Sequence, residues 1–514
     1  MTHLSLDKLR RAAKRLRRDH QAGDARALER LRIHPPRSDA GTDTRVLQHA
    51  DYLHVIAREQ NFNSWPVLKL AAETMGLDRA ARQQRLKLAL ANGQGAVVQH
   101  LLAQTPDLVD GLLGCAIALY DVEVVRAALA ADPTAAVAPL GPRSPMVHLC
   151  FSKMIHVWPD RKAAMLEIAQ LLIDNGADVN DALAGPDGHG LSVLYGALGH
   201  ANNMVLAQWL LDHGADPNDG ESLYHATELG HTRGIEMLLR AGADPKGTNA
   251  LLRALDFNDH VAVRLLLAAG ADVNEFTADP VGGDMPWVIP TLHQAARRMC
   301  DAEMVDLLLS AGADPSVRYQ GANAYGYAKV FGNEALALAI EAHGTPQLSA
   351  VEKVLAAAVE GHVAGVRLDP AALPEAYQNL LHAIIPLDRG RDHLRTLLAL
   401  GLPIDGVDGQ SLTPLQIAAW EGIPDVMALF IECGADLTHV NGYGGTLLST
   451  IVHGAEHCPA RGARDHIACL ELALAQGIDL PRQALEWPGQ LAVTEFLRDW
   501  AEEHPQQVVE GGLA

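Results

Sequence analysis

No run of apolar residues in this 514-residue sequence approaches the roughly 18 that a membrane-spanning helix needs, so no membrane partner is expected. Aromatic residues are also scarce, at 4%, which makes the places where they gather informative. The six cysteines form no C-x-x-C pair, a usage that suits a reducing cytoplasm. Positive charge is short as well. A net charge of −21 argues against general binding to nucleic acid or to a membrane surface. The opening stretch MTHLSLDKLRRAAKRLRRDH has no apolar core and does not read as a secretory signal. Its acidic residues, Asp7 and Asp19 with Asp24 just beyond, count against a mitochondrial leader.

The deficit of positive charge is uneven. Residues 1–80 carry 15 basic and 10 acidic residues, whereas the remainder carries 26 basic and 52 acidic ones. A mildly basic head precedes a strongly acidic body.

What the body has in abundance is one phrase. LLIDNGADVN begins at 171, WLLDHGADPN at 209, MLLRAGADPK at 237, LLLAAGADVN at 265, LLLSAGADPS at 307 and LFIECGADLT at 429. A degenerate copy, LLALGLPID, carries Gly401. In the third copy Ile235, Leu238 and Leu239 stand at helical spacing and form a buried face. Gly242 then takes the left-handed position that ends the helix, and Asp244-Pro245 turns the chain. A second helix of similar length precedes each phrase. Two short helices and a finger-like turn cannot bury a core alone, so neighbouring units must stack.

TPLQIAAWEG at Thr413–Gly422 and PTLHQAARR at Pro290–Arg298 complete the pattern, and with them the chain resembles an ankyrin-repeat protein. The resemblance implies an all-α ankyrin-repeat solenoid of about twelve units between roughly residues 83 and 480, the first two and the ninth being weak. Residues 1–80 then form a basic helical N-terminal cap, 81–480 the solenoid, and 481–514 a C-terminal helical cap and tail. The resemblance, with arginine outnumbering lysine, points to a bacterial source.

Inside the head, LQHADYLHVIAREQNFNSWPVLKLAAE reads as two helices joined by a turn at Asn61–Asn63, the second entered through Ser64. A helix-turn-helix has this spacing, but its second helix here offers only Lys69 as a cation for DNA. Shielding the first repeat is the preferred reading. Nucleic acid is not expected, except through residues 1–80.

HGAEH at His453–His457 fits the H-x-x-E-H spacing of a zinc-peptidase group. The repeat frame ends the inner helix between His453 and Gly454, which would separate the two rings. HGAEH is therefore expected to be a repeat boundary, and no metal is assigned. GYGGT at Gly442–Thr446 hints at a phosphate loop but lacks the following Lys. No catalytic set stands at diagnostic spacing, so neither catalytic residues nor a cofactor are expected.

In ankyrin stacks the last positions of each first helix line the concave groove used for binding. Here they include Phe151, His200, Glu228, Asp256, Phe257, Arg297, Arg298, Phe331, Trp420 and Glu421. Rings at such positions face solvent, and aromatic and Arg anchors dominate interfaces, so these residues are expected to bind a partner. Tyr195, Tyr224 and His293, at the signature slot, are expected to be structural. Two long fingers, 179–190 and 273–289, add surface, with Met285 and Trp287 placed to fold over the groove or to touch a partner.

These readings converge on a non-catalytic cytoplasmic scaffold that binds a protein with a basic patch through an acidic, aromatic-bearing groove. An enzyme or small-molecule binder with a site built across several repeats is the first alternative. A DNA-linked regulator using the N-terminal helices is the second.

Overall fold

The computed structural model describes residues 6–35, 47, 49–184, 190–276, 289–344, 346–362, 365–387, 391–485 and 490–512. They are predominantly helical and divide into two compact units, residues 1–229 with 240–243, and 230–239 with 244–514.

The first unit begins with α1 (Leu6–Gln21), α2 (Ala25–Ile33), α3 (His49–Glu59) and α4 (Trp65–Thr74). Helix α1 packs on α3, with Ala13 and Leu16 of α1 and Tyr52 and Ile56 of α3 all buried. Arg30 grips Glu59 through two bonds of 2.7 and 2.8 Å. Ser64 occupies the N-cap of α4 without a side-chain bond, and Pro66 is at the helix start. Lys69 is paired with Glu73 at 3.4 Å. Helical pairs follow: α5 (Arg79–Ala91) with α6 (Gly95–Gln104), and α7 (Leu113–Ala118) with α8 (Val122–Ala131). Next come α9 (Pro145–Cys150) with α10 (Lys162–Asp174), then α11 (Val193–Tyr195) with α12 (Met204–Asp212), and α13 (Ser222–Ala226). The inner helix α11 continues as a π-helical turn to His200. Helix α4 packs on α6, where the Thr74 hydroxyl meets His100 Nε2 at 3.0 Å.

In the second unit α14 (Arg233–Arg240, its last residue counted with the first unit) precedes α15 (Ala250–Asp256) and α16 (His260–Ala268), then α17 (Thr291–Arg297) and α18 (Ala302–Ser310). Helices α19 (Ala324–Phe331) and α20 (Glu334–His343) lead to α21 (Ala350–Val359), which is followed by short 3-10 turns. The pairs α22 (Leu380–Ile384) with α23 (Arg391–Ala399) and α24 (Pro414–Glu421) with α25 (Pro424–Glu432) come next. The last pair is α26 (Leu447–His457) with α27 (His466–Ala475), and α28 (Leu491–Glu503) closes the unit. Short antiparallel hairpins, β1 (Ala182–Ala184) with β2 (Gly190–Ser192) and β3 (Arg318–Tyr319) with β4 (Ala322–Asn323), stiffen two fingers. Strand β5 (Leu480–Pro481) pairs in parallel with β6 (Val508–Val509), and Gln507 donates to the Leu474 carbonyl at 2.8 Å.

The recurrent phrase explains the stacking. Ile235 and Leu238 are buried as their spacing requires, Leu239 only in part. The phrase glycines, among them Gly176, Gly214, Gly242, Gly270, Gly312 and Gly434, all have φ between 85° and 99°, where a Cβ would be strained. The next-but-one Asp accepts from the backbone two residues on: Asp178 from Asn180, Asp216 from Asn218, Asp272 from Asn274. The final Asn then bridges to the following unit. Asn274 donates to the Gly312 carbonyl at 2.9 Å and accepts from the Asp314 amide at 2.8 Å. Asn180 does the same with Gly214 and Asp216. The phrase thus ends a helix, turns the chain and clamps the next copy.

In the first unit His225 sits between two carboxylates, Nε2 3.1 Å from Glu221 and Nδ1 2.9 Å from Glu228. Burial opposes its charge, but the two hydrogen bonds and their Coulomb attraction prevail and raise its pKa to about 9. With the folded pKa above the unfolded value, the stabilisation is complete below pH 6.5 and is lost as pH rises through 9. Unfolding titrations at pH 6.5 and 9.5 should show a loss of about 2–3 kcal/mol in the wild type. His225→Gln should flatten that difference.

Candidate binding groove

A groove of about 720 Å³ lies within the second unit, walled by α17, α22, α24 and α26 and by the fingers at 405–412 and 438–445. Local chemistry places each wall. Thr413 and Gln416 form a reciprocal capping box at the start of α24, with Pro414 at its first turn, and Gly422 in the left-handed region stops it. Trp420 and Glu421 are thereby held at the helix end. Gln416 of TPLQIAAWEG stands where PTLHQAARR has His293, and its amide donates to the carbonyls of His439 (3.2 Å) and Gly445 (3.3 Å). His293 and His382 use Nε2 in the same way, toward the carbonyls of Ala322 (3.2 Å) and Leu412 (2.9 Å). Burial keeps both imidazoles neutral, His293 with a pKa near 4. At these three positions the slot therefore anchors a finger to an inner helix.

The fingers are braced further. Asp408 accepts from the amides of Gln410 and Leu412, both at 2.9 Å, and Asn441 from those of Tyr443 and Gly445. The Gly442 amide reaches the Gln410 carbonyl at 2.9 Å, joining neighbouring fingers. Tyr443 is left 73% exposed at the rim.

Arg298, Trp420 and Glu421, with the buried Arg297, are brought together in this groove, and His453 joins them. Asp256 lies behind them as the centre of a charge network rather than as a free acid. It receives Arg253 at 2.6 Å, Arg298 at 2.8 Å and the Gln294 amide. Arg297 is only 5% exposed; burial and the neighbouring Arg298 lower its pKa to about 10. Phe257 is 48% exposed, with the Arg253 guanidinium 5.0 Å from its ring centre.

The expectation that the whole row faces solvent is corrected at three positions: Phe151, Phe331 and Arg297 are buried. Phe151 packs against Tyr195 and His200 at ring distances of 6.0 and 5.3 Å. Gly196 makes this possible, since a Cβ there would stand 2.4 Å from the Phe151 ring. Phe331 stacks on Tyr327 at 4.4 Å. His200 is half-buried and held neutral, with a pKa near 4, by burial and by Lys153 and Arg143. Glu228 is exposed but engaged by His225. Met285 and Trp287 lie outside the described residues.

A second correction concerns HGAEH. Helix α26 does not stop at His453; it runs unbroken to His457, and the two rings lie 5.3 Å apart on one face. Gly454 is not a helix stop but a contact point, packed against the Trp420 backbone. His457 meets Glu456 at 3.5 Å. Among the described residues no group of three or more His, Cys, Asp or Glu is placed to hold a metal ion.

Sequence reasoning missed Tyr443, Gln410 and Asn441 as groove residues. The signal present was GYGGT, whose glycines mark a finger tip that presents Tyr443.

Comparison with known families finds ankyrin repeats in part of the chain. A family model described as ankyrin repeats (3 copies) matches residues 161–249 and 194–277, and one described as ankyrin repeat matches 291–319. No curated protein matches the chain. Among the described residues no helix is long and apolar enough to cross a membrane.

Proposed function

We propose, from a chain that carries ankyrin repeats in residues 161–277 and 291–319 and folds as an all-α ankyrin solenoid, that it is a non-catalytic module binding another protein. Ankyrin repeats generally serve as protein-interaction modules. The observation that carries the reading to a surface is the clustering of Trp420, Tyr443, Arg298 and Glu421 around one groove. Aromatic and Arg side chains in a concave, partly desolvated patch are what interface hot spots are made of. Phe257, exposed beneath Arg253, extends the contact surface. The acidic excess beyond residue 80 favours a partner with a basic patch, bound less tightly as salt rises. In this reading residues 1–80 cap the first repeat, since α4 packs on α6 and Lys69 of α4 is engaged by Glu73.

Affinity capture with the tagged full chain at low salt tests it. Trp420→Ala and Phe257→Ala should each weaken the retained protein by about 10–100-fold, with unfolding midpoints within a few degrees of wild type. Retention indifferent to both substitutions, or no retained protein, would defeat the proposal.

A further inference from the structure

We propose that His453 and His457 form a two-imidazole site for a divalent transition-metal cation, Zn²⁺ or another of the same borderline preference. The site does not rest on the protein-binding reading; either can fail alone.

The helix comes first. Residues four apart stand one above the other on a helical face, with Cβ atoms about 5–6 Å apart. That juxtaposition requires an unbroken turn, and α26 supplies it through His457. Its back is committed to packing. Val452, Ala455 and Cys458 are buried, and the Cys458 amide closes the last turn on the Gly454 carbonyl at 2.9 Å. The Gln490 amide donates to the Ala455 carbonyl from outside the helix. His453 and His457 stand on the other side, and both are exposed. A chelating pair carried on a fixed helix loses little freedom when a cation arrives.

The rings come second. Their centres lie 5.3 Å apart with planes at 34°. Trp209 and His213, also four residues apart, simply stack, with centres at 3.8 Å and planes at 23°. The two histidines are held wider than that. A tetrahedral cation about 2.0–2.1 Å from one nitrogen of each of two imidazoles sets the ring centres roughly 5 Å apart. The spacing of such a pair is already present. Coordination takes one nitrogen of each ring, so a partner on the other nitrogen is kept, as metal-bound histidines usually keep theirs.

Charge and donor type select the ion. The Glu456 carboxylate lies 3.5 Å from His457 Nε2 and puts negative charge beside the pair. Imidazole nitrogen suits Zn²⁺, Ni²⁺ and Cu²⁺, whereas Mg²⁺ and Ca²⁺ take oxygen ligands. Among the described residues no third His, Cys, Asp or Glu completes a ligand cluster. The chain therefore contributes two donors, and water fills the remaining positions. His453 also lines the groove, so the cation sits at its wall.

The test uses the full chain and Zn²⁺, titrated by calorimetry in excess Mg²⁺. Hydrogen exchange across Leu447–His457 is measured with and without Zn²⁺. His453→Gln and His457→Gln each remove one donor at an exposed position, and circular dichroism checks that both variants fold. The tightest Zn²⁺ binding should weaken tenfold or more in either variant. Amide protection over Leu447–His457 should rise with Zn²⁺ in the wild type and in neither variant, because the bound cation ties two turns together. Equal Zn²⁺ binding by the wild type and the folded variants would assign it to other histidines and overturn the proposal. So would displacement of Zn²⁺ by Mg²⁺, or wild-type protection in this helix that Zn²⁺ leaves unchanged, a result that needs no variant.

Discussion

Gly454→Val is expected to destabilise the second unit by about 3 kcal/mol, the upper part of the range for overpacking a tight core. A Cβ at this position would lie 2.3 Å from the Trp420 carbonyl oxygen and 2.8 Å from its Cα. These are backbone atoms of α24, which cannot rotate aside as a side chain does. Valine must therefore push α26 away from α24. Even alanine, which gains up to about 1 kcal/mol in helix propensity over glycine, meets the same atoms and should be destabilising. Hydrogen exchange should show amide protection lost first in Pro414–Glu421 and Leu447–His457. Gly409→Ala, at a finger position with nothing within 4 Å, serves as the control and should change little. Protection unchanged in both helices would show that α24 and α26 are not held at this contact. Because Trp420 belongs to the groove, the same variant should also lose whatever the groove binds.

Asp256→Ala carries the second large effect, about 3–5 kcal/mol, the usual cost of removing one partner from a buried ion cluster. The carboxylate is 10% exposed and holds Arg253 and Arg298 at 2.6 and 2.8 Å. Without it Arg253 and Arg298 lose the carboxylate they share. Denaturant unfolding of the full chain should show the loss, and Arg253→Met combined with Asp256→Ala should recover part of it. A residue that merely touches a partner would behave differently. If Asp256→Ala weakens capture of a partner and leaves stability untouched, the network reading fails and the direct-contact reading of the sequence is restored.

The fate of the groove row shows what periodicity can and cannot tell. Repeat grammar identifies the end of each inner helix, and Phe151, Phe257 and Phe331 all stand there. Whether such a ring is covered depends on which side chains of its own helix and of the next unit stand opposite it. Gly196 of the next unit leaves a space that Phe151 fills, whereas Phe331 is covered partly by Tyr327, one turn earlier on its own helix. Phe257 has the Arg253 guanidinium beside its ring and stays exposed. Asp256 and Phe257 are adjacent in sequence yet have opposite roles, one inside a charge network and one at the surface. HGAEH failed for a related reason. The frame predicted a turn at Gly454 because glycine often ends these helices, but here a neighbouring backbone approaches too closely for a Cβ.

The repeats themselves were legible from sequence alone because their physics is local. A glycine at positive φ, an aspartate bonded two residues on, an asparagine reaching the next copy and a His or Gln anchoring a finger all act over short, recurring separations. The all-α stacked fold follows from those separations. The groove does not. It joins Arg297 and Arg298 to residues from His382 to His453, and no recurring interval links them. It forms only when inner helices stack and each side chain finds, or fails to find, a partner across the interface. Burial and pairing are properties of that contact, so tertiary structure alone decided which residues became core and which became site.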